Sequence, residues 1–256
     1  MPMLVESQAP APEVVRPTPA AVARALSVVA AGPLLLDALE VLGPLSAVGR
    51  WPDRVRSAKV RRAGRVLTAL GVVAPLVDHG VVRPWLRHWG ATPEECTRPL
   101  PGDPGRRALV TATRAVTVRA PAEEVWSWLV QIGQDRGGFY SYDWLENLAG
   151  CDIHSADRIR PEWQLREAGD PLAVFEGFST RLVEVDPPRS LVIENWGAYV
   201  VEPIDDASCR LLARAHAERN VGGLAYVLFV ELPHAIMERR MLLGIKERAE
   251  RHHGGR

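Results

Sequence analysis

The block from Trp89 to Trp163 holds the densest mixture of aromatic and ionisable side chains in the sequence. Phe139, Tyr140, Tyr142, Trp144 and Trp163 stand among Asp135, Arg136, Asp143, Glu146, His154, Asp157 and Arg158. An apolar wall with a few orienting polar groups is what a small-molecule site needs. In IHSADR, His154 and Asp157 are three residues apart. As general base and orienting acid they would move a proton. The competing role is structural, with Asp157 or Ser155 capping a turn and His154 bonding to backbone. As metal ligands the pair lacks a third partner at a recognisable spacing, and no HExxH is present, so no metal is expected. Arg158 would either pair with an acid such as Glu162 or receive a ligand carboxylate. Tyr140, Tyr142 and Trp144 alternate in FYSYDW. They would either line the mouth of a cavity or pack a helical layer onto a sheet.

A second polar–aromatic set lies further on: Glu194 and Trp196 in one strand-like run, Arg214 and His216 in another. In RLLARAHAE, Leu211, Ala213, Ala215 and Ala217 share one face. If that face turns inward, its alanines leave cavity volume and the charged set meets solvent. In the opposite orientation Glu194, Trp196, Arg214 and His216 would orient a ligand, and buried charges would have to be paired. His234 and Glu238, at i and i+4, read as an ordinary exposed pair. No phosphate-binding loop is present, and no cofactor is expected.

Elements of both periodicities surround these residues. LVTATRAVTVR (109–119) alternates as a half-buried strand. Pro121 then suits a first helical position, Glu123 and Glu124 complement the helix dipole, and Val125, Trp128, Leu129 and Ile132 form one apolar face. Gly133 ends this helix, and a short helix is predicted over 141–149. From about 170, PLAVFEG, TRLVEVD, SLVIENW and AYVVEP are strand-like runs separated by turn chemistry. A long helix closes the chain, with Met237, Met241 and Ile245 repeating at i+4. Pro233 should start or kink it. Gly244 lies near the apolar stripe, where an unneeded glycine costs about 1 kcal/mol, so it is expected to leave room for something.

The chain has 256 residues, 31 basic and 31 acidic, so no global field draws it to nucleic acid. Cys96, Cys151 and Cys209 fit neither a zinc spacing nor a disulfide framework, which suits a reducing cytoplasm. The first residues carry an acid before any base and are rich in proline and alanine, unlike a targeting segment. Apolar helical segments are predicted at about 20–48 and 60–86. The connector between them carries seven arginines or lysines and one acid. Pro33, Asp37 and Glu40 interrupt the first segment, and VLTALGVVAPLV is too short to span a bilayer. Membrane association through residues 20–86 is the alternative to a cytoplasmic location.

APAEEVWSWL resembles the first strand-to-helix junction of the SRPBCC (START-like) superfamily. WGATPEE, QIGQ-RGGFYSYDWLENL-G, IHSADRI-PEWQ and MERRMLLGIKERAE together resemble a bacterial subfamily carrying this block. The resemblance covers about residues 85–251. It implies an α+β helix-grip fold, in which a curved antiparallel sheet wraps a long C-terminal helix around an internal cavity. Members bind lipids, sterols, polyketides or aromatic molecules, and a minority are enzymes; the fold alone does not fix which. The expected organisation is a tail (1–18), an N-terminal helical extension (19–97), a linker (98–108) and the START-like domain (109–252). The expected function is binding of a hydrophobic or amphipathic small molecule. Alternatives are a cyclase, dehydratase or hydrolase acting in the same cavity, and a membrane-associated interaction protein. Met237 and Met241 join the aromatic, charged and histidine side chains above as expected ligand contacts.

Overall fold

The computed structural model describes residues 58–104, 108–148 and 150–255. The tail and the first apolar segment expected from the sequence lie outside these residues. The chain is α+β: a six-stranded antiparallel sheet with a long C-terminal helix against it.

Helix α1 (Ala58–Val77) runs into a π-turn (Asp78–Val82) and then α2 (Arg83–Arg87). After the short α3 (Pro93–Thr97) comes β1 (Val110–Val118), then α4 (Ala122–Leu129) and α5 (Asp143–Leu148). Strands β2 (Pro171–Phe175), β3 (Phe178–Asp186), β4 (Ser190–Ile193), β5 (Gly197–Asp205) and β6 (Ser208–Ala217) follow as a meander. The chain ends in α6 (Val221–Ala225), a second π-turn (Tyr226–Val230) and α7 (Glu231–Gly254). The strand order is β1-β6-β5-β4-β3-β2, so the first strand closes onto the last. Pro233 lies just after the second π-turn, so the irregular backbone there, and not a free helix start, accommodates its missing N–H.

The alternation read in β1 and β6 sets two cores, one on each face of the sheet. On the helix side, Val118, Tyr199, Val201, Leu211 and Ala213 meet Met241, Leu242, Ile245 and Ala249 of α7. On the other face, Ala115, Val192, Ala198, Val200 and Leu212 meet Leu100. A half-buried sheet was expected, with one face in water. Residues 89–104 cover that second face instead.

The stretch from 98 is therefore no free linker over its described part. Its proline and glycine content shapes turns that seat Leu100 in the second core. Asp103 accepts from Arg214 Nη1 at 2.8 Å, and Arg214 Nη2 donates to the carbonyls of Glu95 (2.8 Å) and Arg98 (3.2 Å). α3 begins with a capping box in which the Thr92 hydroxyl accepts from Glu95 N and Glu95 Oε2 accepts from Thr92 N. This fixes Glu95 to receive Arg210 from β6, at 2.8 Å to each carboxylate oxygen.

Gly244 leaves room for the main chain of Tyr140. A Cβ at 244 would stand 2.2 Å from the Tyr140 carbonyl oxygen. Beneath the middle of α7, Met241, Leu242 and Ile245 join the core, and the Tyr140 main chain crosses close to Gly244.

Candidate functional site

The aromatic block forms a structural layer. Tyr140 is buried, with its hydroxyl donating to the Trp128 carbonyl (3.1 Å) and accepting from Gln131 Nε2 (2.7 Å). Tyr142 is half-buried at the head of α5, its carbonyl accepting from Leu145 N and Glu146 N. Trp144 is 68 % exposed. His154 lies at the surface beside Asp152, 3.2 Å away, rather than beside Asp157. Asp157 and Arg158 are exposed, and Trp163 stacks under Arg160. Glu194 is exposed in the β4–β5 connection. Met241 is core, and Met237 is half-buried with its carbonyl accepting from Ser141 Oγ. Of the two roles open to His154 and Asp157, the acid–base pair does not form, because the loop turns both onto open surface.

Trp196 belongs to a different place. A cavity of about 480 Å³ opens between the end of β6, the β4–β5 turn and the start of the C-terminal helix. Its wall includes Trp196, Ala215, His216, Tyr226, Val230 and His234. The volume is within the range of small-molecule sites. Ala215 and Ala217 contribute the small wall that the β6 alternation anticipated. Gly197 makes this geometry possible: its φ is +147°, and a Cβ there would stand 1.8 Å from the Arg214 carbonyl oxygen. The β4–β5 turn can therefore lie flat on β6 and hold Trp196 against His234, with ring centroids 5.2 Å apart.

Two ring nitrogens in this wall, Trp196 Nε1 and His234 Nε2, have no hydrogen-bond partner and are covered from solvent. His216 alternates with Ala215 and Ala217 on β6, so its ring turns to the other face of the sheet, toward Asp103 and Arg214. A buried polar group without a partner costs about 1–3 kcal/mol.

A chain of polar contacts runs inward from the cavity. The Tyr226 hydroxyl lies 2.7 Å from His234 Nδ1. His234 Nε2 is 3.6 Å from Glu238 Oε1, beyond hydrogen-bond reach. Glu238 is ion-paired with Arg114 and accepts from the Tyr199 hydroxyl at 3.4 Å. Arg114, fully buried, also donates through Nε to the Leu86 carbonyl of α2 at 2.7 Å. Next to it, Arg83 donates to Asp78 (2.6 Å), to Glu231 (3.2 Å) and to the Val227 carbonyl (2.6 Å). Arg87 Nη2 adds a bond to Glu231 at 2.9 Å. Both π-turns thus carry a member of this network, Asp78 on one and Val227 on the other.

Burial without full compensation pushes the His234 imidazole below its ordinary value, and the same cause lowers His216. Both rings are held toward the neutral form, able to donate or accept. Burial, reinforced by the Glu238 charge, pushes the Tyr226 and Tyr199 phenols well up, so both stay protonated. Among the described residues no cluster of three or more His, Cys, Asp or Glu side chains is placed to hold a metal ion.

Tyr226 and His234 were not among the residues singled out as ligand contacts, and His216 was so only in one of the two orientations open to β6. The His234–Glu238 spacing was visible, but it looks the same on a wet face as on a buried one. Here Glu238 is buried and His234 nearly so, at 2 % and 13 % exposure. The available signal was the pairing of His216 with Trp196 as a polar–aromatic set.

No protein-family model matches the chain, and no curated protein matches it. Among solved structures it is similar to the NMR solution structure of KanY protein, at 14 % identity and a TM-score of 0.30, over 57 % of this chain and 99 % of that one.

Proposed function

We propose that the chain binds an amphipathic small molecule in the cavity at the N-terminal end of α7, within a helix-grip fold of the SRPBCC type. The cavity of about 480 Å³, walled by Trp196, Tyr226, Val230 and His234, carries this reading. The ligand's polar end meets the rings of Trp196, Tyr226 and His234, and its apolar body lies against Ala215, Ala217 and Val230. The indole N–H can only donate, and burial shifts the His234 imidazole toward its neutral form. The matching group is therefore an uncharged acceptor such as a carbonyl or hydroxyl. Titrating the intact protein with cis-parinaric acid and with its methyl ester tests this. The ester should bind at least as tightly as the acid. Absence of binding by either would sink the reading.

A second reading, an acid–base enzyme in the same cavity, is favoured by the Tyr226–His234–Glu238 chain. In it, a ligand proton passes to the Tyr226 oxygen as the Tyr226 hydroxyl proton moves to His234 Nδ1, and Glu238 stabilises the resulting imidazolium. Turnover that is lost in Tyr226→Phe, while ligand binding survives, would distinguish it from simple binding.

A further inference from the structure

Helix α1 and its continuation expose a long apolar ridge. Val66, Leu70, Val73 and Val77 follow at i, i+4, i+7 and i+11, each about half exposed, and Val81 and Trp85 extend the series still more exposed. Lys59 and Arg62, both exposed, precede Val66 by seven and four residues and lie on the same face. A single stripe therefore reads cation, cation, four aliphatic residues, then valine and tryptophan. A second apolar set, Val221, Leu224 and Leu228, is exposed at i, i+3 and i+7 on α6 and the following π-turn. Arg83 ties that π-turn to α2 through the Val227 carbonyl.

We propose that this stripe docks the protein on an anionic lipid bilayer surface. Contiguous exposed apolar side chains in such number mark an interaction face. The stripe is a ridge and not a groove: from Lys59 to Trp85 it runs about 40 Å at helical rise, which suits a plane better than a pocket. Lys59 and Arg62 complement headgroup phosphates, with their aliphatic stems continuing the apolar face. Trp85 ends the stripe with the ring that favours the membrane–water interface. The stripe's residues lie on α1, the first π-turn and α2, and none of them lines the cavity. Membrane docking and ligand binding are therefore separable.

The test is flotation of the intact chain with vesicles of phosphatidylcholine alone and of phosphatidylcholine with phosphatidylglycerol. The protein should float with the anionic vesicles and be released by high salt. Lys59→Glu with Arg62→Glu should weaken binding about 5-fold per residue. Val73→Asp with Val77→Asp should abolish it, with far-UV circular dichroism and cis-parinaric acid binding unchanged. Failure of the wild-type chain to float on anionic vesicles overturns the proposal. So does a dimer in light scattering that Val73→Asp dissociates, because a second copy then covers the face. A fall of several degrees in melting temperature for Val73→Asp, without vesicle binding by the wild type, would show that the chain's own residues cover it, and also overturns the proposal.

Discussion

The Tyr226 hydroxyl lies 2.7 Å from Nδ1 of His234, eight residues further along the same continuous helix. In a regular α-helix, positions i and i+7 share a face. The π-turn at Tyr226–Val230 inserts one extra residue, which brings i+8 into that register. The irregular turn is what aims the phenol and the imidazole at the same cavity wall. Behind them, Glu238 and Arg114 anchor the helix to the sheet.

Replacing Trp196 with Phe keeps an aromatic ring against His234 but removes the indole N–H. Binding of cis-parinaric acid methyl ester should weaken by about 5- to 10-fold, the worth of one hydrogen bond of 1–1.5 kcal/mol. Urea unfolding without ligand should show stability equal to or slightly above wild type, since an unpartnered donor has gone. A loss of stability with unchanged affinity would assign Trp196 to packing alone.

Arg114→Met should be severely destabilising. It leaves Glu238 buried without its cation, and removing one partner of a buried pair costs about 3–5 kcal/mol. Arg114→Met combined with Glu238→Leu should recover most of that loss, which chemical denaturation of the two variants will measure.

Gly244→Ala gains helix propensity worth about 1 kcal/mol and still should destabilise. The added methyl would stand 2.2 Å from the Tyr140 carbonyl. The layer carrying Tyr140 must shift, at a net cost of about 1–3 kcal/mol in thermal or urea unfolding.

Two pH dependences of opposite sign are expected. Burial raises the Glu146 carboxyl from its ordinary 4.5 to about 7, and Asp143 nearby adds to the effect. The folded state then holds a proton that the unfolded state has released, so this group lowers stability progressively as pH rises from 4.5 to 7. Glu146→Gln should gain about 2–3 kcal/mol at pH 8 and almost nothing at pH 4. His234 and His216 are shifted downward, so the unfolded chain binds protons first, and their contribution is lost as pH falls below 6.5. Denaturation of wild type and Glu146→Gln across pH 4–8 separates the two.

The element order was legible because local periodicity encodes it. Strand β1, helix α4, the meander and the long closing helix each bury a face whose spacing is written in contiguous residues. The second core was not, since Leu100 and Asp103 sit in a turn-rich run that looks like a linker until Arg214 is opposite it. The site was least legible. Its wall combines Trp196, His216, Tyr226 and His234 from three separate elements, and a π-turn breaks the regular helical count between the last two. The aromatic block around Tyr140 is instead a layer that holds α7, with Gly244 admitting its main chain.

Native mass spectrometry of the intact protein, purified without delipidation, tests the central claim most directly. The wild type should carry one small molecule per chain, or take up one cis-parinaric acid methyl ester. Ala215→Trp, which fills the cavity beside Trp196 and His234, should appear folded and bare. A wild-type chain that stays bare with the ester in excess, or an Ala215→Trp chain that binds as well as wild type, would contradict the account.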